Sequence, residues 1–495
     1  MDAFRWVKDN KIVKNASSLV IGQVLSRLLS IFYVAALARY VGVGGIGKLS
    51  TATALNGLLV LMVGPGLNTL LIRDVAADVG KAESYISNML FLRGVLGFPF
   101  ILVTTALAHL AGYPSDTLGI IHIYTIAYFL DTIADVLVGL FRATERMEYD
   151  AGGQIGRDVI NVVLSLVAIH LHWSLLGIAL MSLVAQMCKL LFMVVLVYGG
   201  LSRPRMAISF KTSKELLLAS LPFGVLLILH TVQAQAGTFI LSLYWTADTV
   251  GVYSAAYTLI AVLLLLPLAF STAIFPAFSR LYSAAGSELQ RFYQLSYKYL
   301  LIVGYPLGLG TMLVGDRVLF LIYGDEFASA GSVLRILAVF LFTLVGYSNG
   351  PLLNAVGRQR FLAGTQGIAV FGTVSLSIIL GPMWGPSGVA VAFVAPGIAT
   401  YFVHSIACHR QFGLSLPWLT MGKVFIATIF MGLIVWIAEW MGVHWLVVVF
   451  LASPIAYFGA VIALGVVHRG ELAILASAAN KSWTPAVTMS SSHVQ

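Results

Sequence analysis

The chain has 495 residues, 59% of them hydrophobic and only 10% charged, with 29 Lys and Arg against 20 Asp and Glu. Soluble proteins carry about 25% charged residues. Three soluble domains would fit the length, but so little charge could not cover their surface, which excludes a cytosolic, secreted or nucleic-acid-binding protein. A mean hydropathy of +0.94 and long apolar runs point to an all-α polytopic membrane protein.

The N-terminus, residues 1–15, is basic through Arg5, Lys8, Lys11 and Lys14. The apolar stretch after it, 16–38, is too long for the h-region of a signal peptide and is followed by many more. It reads as the first transmembrane helix. Further spans are expected at 49–72, 86–110, 118–141, 154–172, 175–198, 216–243, 249–275, 296–315, 332–354, 361–380, 386–408, 422–440 and 445–467, fourteen in all. With the N-terminus in the cytoplasm, the segments on that side hold 20 Lys and Arg and the opposite loops only Arg39, Lys48 and Arg317. This asymmetry predicts a cytoplasmic membrane protein with both termini inside. It also accounts for the net charge of +9 without nucleic acid and places the basic loops beside anionic lipid. The more basic face is called the basic end below.

Other chemistries find little support. No loop is long enough for a nucleotide-binding domain, and no G-x-x-x-x-G-K-[ST] occurs. Gly42-Val43-Gly44-Gly45-Ile46-Gly47 matches G-x-G-x-x-G, but it joins two membrane helices with no strand before it and reads as a turn. Cys188 and Cys408 fall inside apolar runs, so no disulfide framework is expected. No cofactor or metal site is expected either.

Residues 40–65 resemble 244–269 at a constant offset of 204, with Tyr40/Tyr244, Gly47/Gly251, Ser50/Ser254, Ala52/Ala256 and Leu55/Leu259 coinciding. The offset covers six spans, an even number, so both copies have the same orientation. Two parallel six-helix lobes around a central cavity are a transporter architecture. The expected organisation is a first lobe at 16–200, a basic linker at 201–215 and a second lobe at 216–410. Two extra helices at 411–470 and a cytoplasmic tail at 471–495 follow.

Ser26-Arg27-Leu28-Leu29, then Leu37-Ala38-Arg39-Tyr40-Val41-Gly42 and Gly47, resemble the start of the polysaccharide and O-antigen flippases. These belong to the multidrug/oligosaccharidyl-lipid/polysaccharide exporter superfamily. Gly66-Leu67 with Arg73, the run Phe141 to Met147, Leu221-Pro222, Val250 to Tyr257 and Phe275 to Leu281 continue the resemblance in order. Tyr323 to Phe327 and Gly385 to Ala390 complete it over about residues 10–410. The resemblance implies a flippase, not an enzyme, with twelve to fourteen helices in two lobes. Its substrate would be polyprenyl-linked oligosaccharide, and its driving force a membrane potential, a proton or sodium gradient, or consumption of the glycan on the far side. Glycan polymerases or transferases are possible partners. The sequence departs from its relatives at Gln235-Ala236-Gly237-Thr238, where they often carry an Asp, and at Tyr33, near an Arg of the lipid II flippases.

Charge at the bilayer centre costs at least about 2.5–3.5 kcal/mol, so such residues face a cavity or a partner. Gln23, Ser26, Arg27 and Ser30 share one stripe of the first span, and a guanidinium there suits the pyrophosphate of a lipid-linked sugar. The alternative for Arg27 is an ion pair within the first lobe. Asp131 and Asp135 share one face of the fourth span, where mutual repulsion favours binding of a proton or cation. Pairing with Arg27 or Lys189 is their structural alternative. Lys189 contacts phosphate or forms an ion pair. Gln233 and Gln235, with His230, Asn349 and Asn354, are the second lobe's candidates for sugar hydroxyls, or they join helices. Arg93, Arg335 and Glu439 lie near span ends and read as interfacial. Two rival functions remain: a cation-coupled multidrug exporter of the same superfamily, which needs a carboxylate-rich aromatic cavity, and a glycan polymerase or ligase, which needs a larger outer loop.

Overall fold

Backbone amides in a bilayer have no water to pair with, so each apolar run closes its hydrogen bonds along its own helix. The computed structural model describes residues 10–200, 208–283 and 287–467, with side chains over 32–199, 208–282 and 288–467. Among them are helices and turns and no strand. α1 (Asn10–Leu59) holds two spans joined by a kink at Gly42, where φ is 70°. A 3-10 turn and Gly64-Pro65-Gly66, with both glycines at positive φ, separate it from α2 (Leu67–Ala77). α3 (Ala82–Leu110), α4 (Ser115–Ala143), α5 (Met147–His170) and α6 (Leu175–Gly200) complete the first lobe.

α7 (Phe210–Tyr244) starts several residues before the apolar run because Ser209 caps it, its hydroxyl accepting from the Thr212 amide at 3.4 Å. α8 (Ala247–Leu263) and α9 (Leu265–Ser283) form one span, and α10 (Ser287–Tyr323) the next. The tenth span is built in pieces: α11 (Ala330–Ala338), a 3-10 stretch at Val339–Ser348 and α12 (Asn349–Ala355). α13 (Gln359–Phe412) carries two spans across a kink at Gly385, followed by Pro386. α14 (Trp418–Trp440) and α15 (Trp445–Val447), which runs through a π-helical turn into α16 (Ser453–Ala463), end the described chain. Twelve stretches among the described residues are long and apolar enough to cross a membrane. Counting α1 and α13 as two each gives the expected fourteen.

In the first lobe α1 packs on α4 and α5, while α4 and α5 pack on α6. In the second, α7 packs on α13, α11 on α8 and α10, and α9 on α12. α14 lies against α10, and the Tyr457 hydroxyl of α16 donates to the Ile302 carbonyl at 2.9 Å, so the two extra helices belong to the second lobe's flank.

The lobes meet where α1 crosses α8. A Cβ on Gly47 would lie 1.7 Å from the Ala247 carbonyl oxygen, and one on Gly251 would lie 2.0 Å from that of Val43. Residues 43 and 247 stand 204 apart, as do 47 and 251. The crossing therefore repeats itself across a pseudo-two-fold axis, and the sequence offset is a physical symmetry. At this end Arg39 Nη2 also donates to the Leu321 carbonyl, and the Val43 amide donates to Glu326 Oε2 at 3.2 Å. Tyr113 and Ser242 share a hydrogen bond of 2.7 Å.

At the basic end α7 makes the junction. Asn88 Oδ1 accepts from the Ser209 amide at 2.8 Å and from the Ser213 hydroxyl at 2.9 Å. A Cβ on Gly66 would lie 2.4 Å from the Ser220 carbonyl oxygen, so α2 rests directly on α7. Arg73 lies over the Phe223 ring at 5.0 Å and pairs with Asp74 at 2.6 Å. Its guanidinium holds the Asp74 carboxyl below the usual carboxylate range.

Replacing Gly251 with Leu should force the crossing apart at a cost of about 1–3 kcal/mol, as overpacking does. Thiol cross-linking between Arg39→Cys and Leu321→Cys should then fall about ten-fold. An unchanged yield would show the crossing to be slack.

Candidate functional site

Helical spacing puts Tyr124, Tyr128, Asp131 and Asp135 on one stripe of α4. α6 presents Ser182, Gln186 and Lys189 at the same three-to-four spacing, and α5 presents Gln154, Arg157 and Asn161. The stripes converge, and with Tyr33 of α1 they enclose a cavity of about 290 Å³ inside the first lobe. Its walls are Tyr33, Tyr124, Tyr128, Asp131, Arg157, Asn161, Ser182 and Gln186, with Ala127 and Ala185.

Asp131 Oδ1 accepts from Lys189 Nζ at 2.6 Å and from Gln186 Nε2 at 2.9 Å. The lysine is only 6% exposed while the carboxylate is 42% exposed, so the ammonium is the buried partner and the carboxylate looks into the cavity. Arg157 pairs with its neighbour Asp158, which also accepts from Gln154 at 3.3 Å. Asn161 Oδ1 accepts from the Ser182 hydroxyl at 3.0 Å. The Arg157 Nε is buried with no hydrogen-bond partner among the described residues.

Two basic residues sit elsewhere than the sequence suggests. Arg93 is not interfacial: it is 7% exposed in α3, and the charges of Asp135 and Asp131 act on it. Arg157, counted with the basic loops, reaches the cavity wall beside Asp131 because α5 begins at Met147 and carries it into the bundle. Arg335 and Glu439 do lie near span ends, paired with Asp316 and Arg317. The sequence reading missed Tyr124, Tyr128, Arg157, Asn161, Ser182 and Gln186. The signal was the repeat of polar and tyrosine positions at helical spacing in three consecutive spans. The backbones of Gln23, Ser26 and Arg27 lie in α1, and their side chains are outside the described residues.

The second lobe's amides join helices. Gln233 Nε2 donates to Thr373 Oγ1 of α13 at 3.1 Å. The Gln235 side chain lies 3.4 Å from where a Cβ of Gly57 would stand, between the lobes. Asn349 is fully buried, accepts from Tyr293 at 2.9 Å and Tyr297 at 3.1 Å, and donates to Ser405 at 3.0 Å. His230 and Asn354 are exposed. His404, whose Nε2 is 2.7 Å from Thr365 Oγ1, belongs to no metal-binding group among the described residues. A second, larger cavity of about 760 Å³ lies between α10, the 3-10 stretch, α13 and α14. Phe342, Ile398, Phe402, Ile406 and Met421 line it, with His409 and Arg410 at its basic end.

Residues 12–282 match the model of a family described as polysaccharide biosynthesis protein. The lipopolysaccharide biosynthesis protein WzxC of Escherichia coli K12 is 29% identical over 203 residues, 39% of this chain and 41% of that protein, so the match spans about two-fifths of the relative. The probable low-salt glycan biosynthesis flippase Agl15 of Haloferax volcanii is 22% identical over 440 residues, 85% of this chain and 89% of that one. Among solved structures, the lipid II flippase MurJ in an inward closed conformation gives a TM-score of 0.75 at 13% identity, over 89% of this chain and 97% of that one. An inward-facing multidrug resistance MATE transporter gives 0.66 at 17% identity, over 81% and 98%. At these identities the two structures establish the shared fold.

Asp131→Asn should leave the Lys189 ammonium without its counter-charge. Breaking a buried pair costs about 3–5 kcal/mol, and water reaching Asp131 through the cavity reduces the expected loss to about 1–2 kcal/mol. Adding Lys189→Met should recover most of it, because removing both partners is nearly neutral. Thermal unfolding of the purified single and double variants measures this coupling, and simple additivity would dissolve the pair.

Proposed function

The chain belongs to the polysaccharide biosynthesis protein family, and on that premise we propose that it flips lipid-linked oligosaccharide across the cytoplasmic membrane by alternating access between its lobes. The observation that carries the reading is a mid-bundle site of mixed charges, tyrosines and amides enclosed in one lobe of a two-lobed membrane bundle. The names of WzxC, Agl15 and MurJ, which speak of lipopolysaccharide, glycan and lipid II, support the same substrate class. With Arg157 counted inside the bundle, 19 Lys and Arg against 3 support a basic end, with both termini, in the cytoplasm.

The described cations of the first lobe's interior, Arg93, Arg157 and Lys189, are matched in number by Asp131, Asp135 and Asp158. Arg27 is the sequence's surplus charge at that depth, and we assign it the pyrophosphate. Lys189 spends its charge on Asp131 in this conformation and serves as a pairing group, releasable if Asp131 takes up a proton or sodium ion. Asp131 and Asp135 are thereby the proposed coupling groups, with Gln23, Ser26, Gln233 and Gln235 as polar contacts along the translocation path. The apolar cavity against α14 suits the polyprenyl tail, leaving the headgroup to the bundle's interior. Arg39, Val43 and Tyr113 join the second lobe at the end opposite the basic one, as Asn88 and Gly66 do at the basic end, so alternating access would break one of these junctions at a time.

The test is a knockout complemented with wild type, Arg27→Ala or Asp131→Asn, with lipid-linked glycan assayed on each membrane face. Losing one charge-assisted contact, about 1.5–3 kcal/mol, should cut the flipping rate by ten-fold or more, with glycan-lipid accumulating on the inner face. Unchanged glycan-lipid with altered sensitivity to cationic drugs would favour the multidrug exporter.

A further inference from the structure

The first-lobe cavity has a composition that the pyrophosphate contact does not use. Its charges are already compensated: Asp131 by Lys189 and Gln186, Arg157 by Asp158. A charged group of the substrate would find no net counter-charge there and would have to break a standing pair. What the walls still offer is hydrogen-bonding capacity and aromatic faces. Asp131 Oδ2 has no donor among the described residues, and the Arg157 side chain, 36% exposed, lines the cavity although its Nε is buried. Tyr33, Tyr124 and Tyr128 contribute rings that are apolar on their faces and polar at their tips. Asn161 and Gln186 add amides, which donate and accept at once.

A ligand rich in hydroxyl groups answers this pattern, because each hydroxyl both donates and accepts. A paired carboxylate and guanidinium bind such groups more strongly than neutral partners do. The C–H faces of a sugar ring can lie against the tyrosines. At about 290 Å³ the cavity is at the small end of ligand sites, which run from about 300 to 1,000 Å³. It admits one ring and excludes a chain of several.

We infer that this cavity is a subsite for a single neutral monosaccharide residue of the glycan. It would read the sugar through the carboxylate of Asp131, the Arg157 guanidinium and the tyrosine faces, while the rest of the oligosaccharide lies outside it. The inference rests on the flippase reading and deepens it. Because the pocket belongs wholly to α1, α4, α5 and α6, the recognised sugar moves with the first lobe.

Saturation-transfer NMR on the purified full-length protein in nanodiscs tests this. The probes are the free methyl glycosides of glucose, galactose, rhamnose and N-acetylglucosamine, with glucuronic acid and tetraphenylphosphonium as charged comparisons. At least one neutral glycoside should show transfer to its ring protons, reduced about ten-fold or more by Tyr128→Leu and by Asn161→Ala, while Tyr124→Phe retains most of it. Comparable melting temperatures would exclude misfolding, and if Tyr128→Leu fails to fold, Asn161→Ala decides. No transfer from any neutral glycoside, transfer undiminished by both variants, or saturation by tetraphenylphosphonium alone would overturn the subsite. The same preparations are assayed for flipping of native lipid-linked glycan. A wild type that flips without sugar transfer removes the subsite and keeps the flippase, whereas one that fails to flip removes the flippase reading itself.

Discussion

The carbonyl oxygens of Ala247 and Val43 occupy the space that side chains would need at residues 47 and 251. Glycine is the residue that lets two helices approach this closely, and each lobe supplies one glycine and one carbonyl. The rest of the bundle is arranged around that double contact. It sets α1 against α8, brings the kinked segment 39–48 of α1 beside Glu326 and Leu321, and leaves α7 to connect the lobes at the other end. Ile46, Leu49 and Leu55 of α1 and Val250, Tyr253 and Ile260 of α8 are buried in one apolar cluster around it, so the joint is packed as well as close.

Polarity is divided unequally between the lobes. The first holds carboxylates, guanidinium groups and an ammonium at mid-bundle, brought together by α3, α4, α5 and α6. The second holds amides and hydroxyls tied helix to helix: Gln233 with Thr373, and Asn349 with Tyr293, Tyr297 and Ser405. The chain duplicates its scaffold without duplicating its chemistry. The first lobe carries the paired carboxylates at mid-bundle, while the second buries Lys298 in α10 and otherwise ties its helices with amides and hydroxyls.

The spans were legible because apolar runs of this length have one stable form in a bilayer. The matching motifs were also legible, and the structure explains several as points where the chain turns. Phe141 to Met147 makes the α4–α5 turn, with Arg142 bound to Asp150 at 2.7 Å and Glu145 at a φ of 56°. Glu326 of the Tyr323 to Phe327 run docks on the Val43 amide, and Gly385 kinks α13. The Asp131–Lys189 pair could be anticipated as an alternative but not decided, because no spacing rule links α4 to α6. Arg93 and Arg157 were misplaced for one reason: depth was judged by distance from a polar loop, whereas tertiary packing covers Arg93 and turns Arg157 toward the cavity. The tyrosines were hidden because aromatic enrichment is also what a membrane interface produces.

A balanced interior has an electrical consequence. A transmembrane voltage acts on each displaced elementary charge with about 2.3 kcal/mol per 100 mV. Three cations and three carboxylates held together in the described first lobe present almost no net charge to that field when they move as a body. The net charge the lobe keeps at that depth is that of Arg27, so the voltage acts on that residue and on whatever the lobe carries.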